Sequence, residues 1–137
     1  MLNSIFNPFP DLFMLGFFAP TLIRLSVGLL FVYIGYMQWR NREVIAQMRF
    51  PIVGSGMWIA LVFMFFHFAV GLMLIAGFYT QIAALLGIAG SLKGLILNRR
   101  HPTLIIVSNG TVVLAIVMLL SLLVTGAGAF AFDIPQL

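Results

Sequence analysis

The chain has 137 residues, of which 63% are hydrophobic and only 7% are charged. A soluble domain carries about 25% charged residues, so a water-exposed globular fold and a disordered chain are both excluded. The absence of cysteine removes disulfides, thiolate metal sites and thiol redox relays.

The apolar segments come in a clear order. Asn7 to Phe18 mixes Pro8, Pro10 and Asp11 with four phenylalanines and reads as an outer interfacial stretch. A first span runs over 17–39 and is interrupted by one ionisable residue, Arg24. Arg40 to Phe50 then sets Val44, Ile45 and Met48 between arginines, the pattern of a short helix on anionic headgroups. Both flanking stretches also read as plain aromatic or basic anchors beside a span. A second span covers 57–79 and a third 80–97, separated only by the turn around Gly77 to Gln81. A fourth covers 103–125. Each reaches or approaches the roughly 20 residues needed to cross a bilayer. The predicted fold is all-α: one integral membrane domain over 1–137, an antiparallel four-helix bundle of up-down-up-down topology.

Seven Lys and Arg stand against three Asp and Glu. They form no run on a polar surface, so a nucleic-acid partner is not expected. Arg40, Arg42 and Arg49 fall in loop 40–56, and Arg99 and Arg100 in loop 98–102. Asp11 and Asp133 lie in the terminal segments. The positive-inside bias then predicts cytoplasmic loops and both termini outside. Residues Met1 to Ser4 show no basic region leading to a small-residue cleavage site, so no cleaved signal peptide is expected.

Helices in lipid associate through close packing and a few polar contacts. Gly87, Gly90 and Gly94 make a small-residue stripe on span three, which predicts that span three is the most buried helix and that Leu at position 90 or 94 disrupts the fold. Gly28 and Gly35 in span one and Gly71 in span two are further close-approach positions. Span two also carries Phe63, Phe65, Phe66 and Phe68, read as aromatic packing or as a surface for a quinone ring, a carotenoid, a pigment tail or another subunit.

Ionisable groups inside a membrane are functional candidates by default. Arg24 is expected to pair with Asp133 and hold the C-terminal tail on the bundle, with anion or quinone-oxygen recognition as the alternative. His67, at the middle of span two, reads as a histidine hydrogen-bonded by Ser, Thr or Asn of a neighbouring helix. It is also the candidate cofactor-binding residue, through one ring nitrogen on a haem or (bacterio)chlorophyll metal. Lys93, Ser108 and Asn109 are expected to gather into a cytoplasmic polar cluster. No catalytic constellation and no metal-ligating set is visible in the sequence.

Leu22-Ile23-Arg24-Leu25-Ser26-Val27-Gly28 and its continuation to Gly35 resemble the first-span signature of the DoxX family of small four-helix membrane proteins. Val70 to Ala84 is similar to that family's second-to-third-span hairpin, and Gly126 to Asp133 to its C-terminal Gly-x-Gly block ending in Asp. The resemblance implies a bacterial inner-membrane protein associated with quinone-linked redox systems, such as thiosulfate oxidation, and it assigns Arg24 and Asp133 to family positions. The chain departs from the pattern at Ile34 and Gln38, where members often carry His and Lys. It departs again at His67, in place of a frequent Glu, and at Gln81, in place of a frequent Arg. These departures favour a non-catalytic subunit of a membrane redox or photosynthetic assembly, bordering quinone or pigment. The alternatives are a membrane component of a quinone-linked oxidoreductase with its cofactors on a partner and, behind it, a small transporter. The expected partners are the lipid bilayer and other membrane subunits.

Overall fold

The computed structural model describes residues 15–50, 52–99, 107–128 and 130–132. Among them every extended element is helical: α1 (Ala19–Arg40), α2 (Arg42–Gln47), α3 (Met57–Ala76), α4 (Thr80–Asn98) and α5 (Asn109–Thr125). The only strand-like pairing among these residues is an isolated bridge between Phe50 and Gly54 in the loop before α3. α1, α3 and α4 are long and apolar enough to cross a membrane, and α5 is a shorter apolar helix of 17 residues. At 1.5 Å per residue α1 reaches about 33 Å and α5 about 26 Å. Large apolar side chains such as Phe65, Leu72, Ile96 and Val124 remain exposed along these helices. A surface of that kind is stable against acyl chains and not against water.

The helix boundaries follow from local chemistry. α1 enters through a short 3-10 turn over 15–18, with Pro20 in its first turn; proline is suited there because its missing N–H is one the helix would leave unused. α3 ends three residues before the 79 expected from sequence. Gly77 takes a left-handed φ of 69°, and Phe78 N–H and Gly77 N–H donate to the carbonyls of Met73 (3.0 Å) and Leu74 (3.2 Å). Those two bonds satisfy carbonyls that the helix end would otherwise orphan. α5 begins at Asn109 because Ser108 Oγ accepts from Thr111 N–H at 3.2 Å. The first part of the expected fourth span, 103–106, lies outside the described residues.

The tightest helix pair is α1 with α3. A Cβ placed on Gly71 would stand 2.9 Å from the carbonyl oxygen of Gly28 and 2.9 Å from Val32 N. One placed on Gly28 would stand 3.1 Å from Gly71 O. Backbone therefore lies against backbone, the arrangement small residues permit. α4 behaves differently from the expectation for span three. It buries five residues against eight in α1, so span three is not the most buried helix. Its glycines meet side chains instead: Gly87 faces Leu119 and Phe31, and Gly90 faces the Phe66 ring. The small-residue stripe seats aromatic and leucine side chains from neighbouring helices rather than another backbone.

Two apolar cores result. The larger brings Val27 and Phe31 of α1, Val70 and Leu74 of α3, Ala83 and Ala84 of α4, and Leu119 and Leu122 of α5 together. A smaller one joins Ile45 of α2 to Phe50, Ile59 and Ala60. α2 thus differs from a helix lying only on headgroups. Ile45 is turned inward at 1% exposure while Val44 beside it is half exposed.

Overpacking in a tight interface costs about 1–3 kcal/mol, so Gly71→Ala should lower the detergent-solubilised melting temperature clearly. Gly90→Ala meets only the edge of a ring that can rotate and should lower it less. Ser108→Ala removes the cap of α5 and should cost about 1 kcal/mol, read as faster amide exchange over Asn109 to Thr111.

Candidate functional site

Two places among the described residues bring polar side chains against the interior of the bundle. The first is the end of the bundle that holds the turn between α3 and α4. Arg24 of α1 is 2% exposed there. Its Nη1 donates to Ala127 O at 3.0 Å and its Nη2 to Phe130 O at 3.3 Å. Gly77 lies directly against the same guanidinium, and its missing side chain makes room for it. Gly128 is held equally closely, since a Cβ there would stand 2.9 Å from Thr21 N. Phe130 is bound further by its ring, 5.9 Å from that of Phe18. Arg24 therefore fastens the segment after α5 to the start of α1 through backbone carbonyls. Asp133, its expected partner, lies outside the described residues.

The second place is a cleft of about 270 Å³ in the other half of the bundle, lined by α1, α3 and α4. Val62, Phe63, Phe66 and His67 come from α3, and Ala89, Gly90, Lys93, Gly94 and Leu97 from α4. Gln38 of α1 completes it. Gln38 is 2% exposed, and its Oε1 has no hydrogen-bond partner among the described residues. His67 Nδ1 lies 2.8 Å from Phe63 O, the carbonyl one turn earlier on its own helix. A carbonyl only accepts, so Nδ1 carries the proton and the lone pair sits on Nε2. The partner expected from sequence is a Ser, Thr or Asn of a neighbouring helix; the helix's own backbone supplies one instead. The imidazole is also packed by aromatic rings, with Phe31 at 5.6 Å and Phe66 edge-on at 5.5 Å. Lys93 stands at the rim with its ammonium 6.0 Å from the Phe63 ring centre.

Among the described residues, no hydrogen bond joins Lys93 to Ser108 or Asn109, the cluster expected from sequence. Ser108 is occupied in capping α5, and its Oγ also lies 2.9 Å from Thr111 Oγ1. Asn109 Oδ1 accepts from Asn98 Nδ2 at 2.8 Å, while Lys93 belongs to the cleft. Asn98 and Gln38 are the residues that sequence reasoning missed as contributors. Asn98 was legible as a carboxamide at the last position of α4. Gln38 stands two residues before the end of α1, and a carboxamide inside an apolar span is itself a signal.

Known drug-sized pockets span about 300–1,000 Å³. The cleft therefore accommodates one ring with its substituents, the scale of a quinone head, rather than a whole tetrapyrrole. Gly94, expected in helix packing, borders this space. Among the described residues no three His, Asp or Glu side chains converge as a metal site.

Apolar helices of this length, packed through glycine and carrying their polar groups inward, define a polytopic helical membrane protein. The chain matches the DoxX family over residues 19–96, more than half its length, and belongs to that family. The match stops short of the C-terminal glycine block that Arg24 holds. Comparison with curated proteins and with solved structures finds no match.

Arg24→Lys should not restore what Arg24→Gln loses, because one ammonium cannot reproduce a fork reaching two carbonyls. Hydrogen bonds to a charged donor contribute about 1.5–3 kcal/mol each. Both variants should therefore show a lower melting temperature and loss of exchange protection over 126–132, with Lys retaining little more than Gln.

Proposed function

We propose that the chain is a non-catalytic accessory subunit of a membrane redox or photosynthetic electron-transfer assembly, placed in the bacterial inner membrane. The observation that carries this reading is the use of Arg24, the most deeply buried ionisable group described. Its guanidinium holds the chain's own backbone, a scaffolding role rather than a chemical one. The exposed apolar groove of Trp39, Met64, Phe65, Phe68 and Leu72 on the α1–α3 side offers lipid or a neighbouring subunit an aromatic contact. The topology in this proposal is up-down-up-down, with both termini outside and loops 40–56 and 98–102 cytoplasmic, where the arginines concentrate. Asp133 adds its carboxylate to the Arg24 anchor, and quinone or pigment borders the bundle at the cleft of His67.

A second reading has one observation in its favour. The cleft's size and its polar groups suit a membrane component of a quinone-linked oxidoreductase of the thiosulfate type, with cofactors on a partner.

Mild solubilisation followed by native mass spectrometry tests both readings, which expect redox subunits to co-purify in fixed stoichiometry. A homo-oligomer or monomer alone would overturn them. Because the chain has no cysteine, Ser55→Cys and Phe78→Cys report topology without background. A membrane-impermeant maleimide added outside should label Phe78→Cys and leave Ser55→Cys untouched. Asp133→Asn should lower the melting temperature through loss of the Arg24 pair; an unchanged value would remove that pair from the proposal.

A further inference from the structure

The cleft between α1, α3 and α4 is built from side chains whose hydrogen-bonding needs are unequal. His67 Nε2 bears a lone pair, because Nδ1 is committed to Phe63 O at 2.8 Å. No described residue donates to that Nε2. Gln38 Oε1 is a second acceptor, buried and without a partner among the described residues. Gln38 Oε1 is covered by its surroundings, so it is His67 Nε2, beside the cleft, that favours an occupant bringing a hydrogen-bond donor. The remaining surface selects shape. Phe63 and Phe66 supply aromatic wall, and Gly90 leaves the Phe66 ring lying against the α4 backbone. The space holds about one ring. Lys93 at the rim disfavours a cationic head by like-charge repulsion.

We propose that this cleft binds a neutral amphiphile with one hydroxylated ring, a phenol in its simplest form, whose hydroxyl donates to His67 Nε2. The amphiphile's tail leaves between Val62 and Ala89, which are exposed to the acyl chains. The inference deepens the part of the proposed function that places a ring compound at the cleft. It fixes the class as a donor of hydrogen bonds, so a ring bearing only carbonyl or ether oxygens fits less well.

The test uses the full chain in phosphatidylcholine nanodiscs with 15N-labelled histidine. The sequence has only two histidines, so His101→Gln assigns the His67 signals. Titration with 4-hexylphenol should move the His67 Nε2 resonance saturably. Its methyl ether, 4-hexylanisole, has nearly the same shape and cannot donate; it should bind about tenfold more weakly, the loss of one hydrogen bond. His67→Phe keeps an aromatic ring at the position and should erase the difference between the two probes. Equal affinities in the unmodified chain, or no movement of Nε2, would overturn the proposal, and neither result depends on a variant folding. Tighter binding of decanoic acid, lost in Lys93→Met, would also overturn it and mark the cleft as an anionic-lipid site. Loss of phenol binding while redox subunits still co-purify would reject this inference alone; the reverse would reject only the assembly.

Discussion

The close contact of α1 and α3 at Gly28 and Gly71 is the constraint on which the rest depends. Within lipid there is no hydrophobic drive pushing helices together, so association relies on contact area and on polar groups that find partners. Bare backbone against backbone gives α1 and α3 the most intimate crossing in the molecule. With the two axes held so close, Phe31 reaches the His67 ring from one helix to the other. Gln38 is likewise drawn under the wall made by Phe63 and Phe66. α4 and α5 then complete the core around Phe31 and Leu119, with Gly87 as the seat for both. The cleft is a product of this arrangement: α1 and α3 are in contact, while α4 stands off at the level of Gly90 and Lys93.

The polar groups divide between the two halves according to what they border. At the turn end, a guanidinium, two glycines of left-handed φ (Gly77 and Gly128) and two backbone carbonyls close on one another. In the other half Gln38, His67 and Lys93 line a cleft. The first set holds the chain's own backbone in place, while the second lines that cleft. The small core under α2 lies in the half that holds the cleft. Ile45 and Phe50 pack on Ile59 and Ala60 beneath the arginine-bearing loop, with Arg42 stacked 4.7 Å over Trp39.

Much of this was legible in the sequence because bilayer thickness and apolar run length are so directly linked. The positions of α1, α3 and α4 follow from hydropathy within three residues, and the left-handed Gly77 explains where the expected second span overran. Side-chain partners were less legible. A stripe such as Gly87, Gly90 and Gly94 says that something approaches closely, and nothing in its spacing says whether that is a backbone or a ring. His67 illustrates the same gap. Its partner is a carbonyl one turn away, and every residue type carries that carbonyl, so composition holds no trace of it. Lys93 was grouped with Ser108 and Asn109 by depth alone. Depth leaves the azimuth around the helix undetermined, and azimuth is what sends Lys93 to the cleft and Asn98 to Asn109. Arg24 was recognised as an anchor for the C-terminal segment because a lone buried cation needs a partner. That the described partners are the carbonyls of Ala127 and Phe130 required the fold.

The anchor has a consequence for how the protein is made. Arg24 lies 103 residues before Ala127 and 106 before Phe130 along the chain. During synthesis its span therefore enters the bilayer with those carbonyls not yet translated. Until residues 127–130 emerge, the guanidinium must reach for headgroups or water, and the turn end of the bundle stays open. Chains cut short before that point would keep every apolar helix and still present a cation to the membrane. The link from Arg24 to Ala127 and Phe130 is thus among the last contacts the growing chain can make.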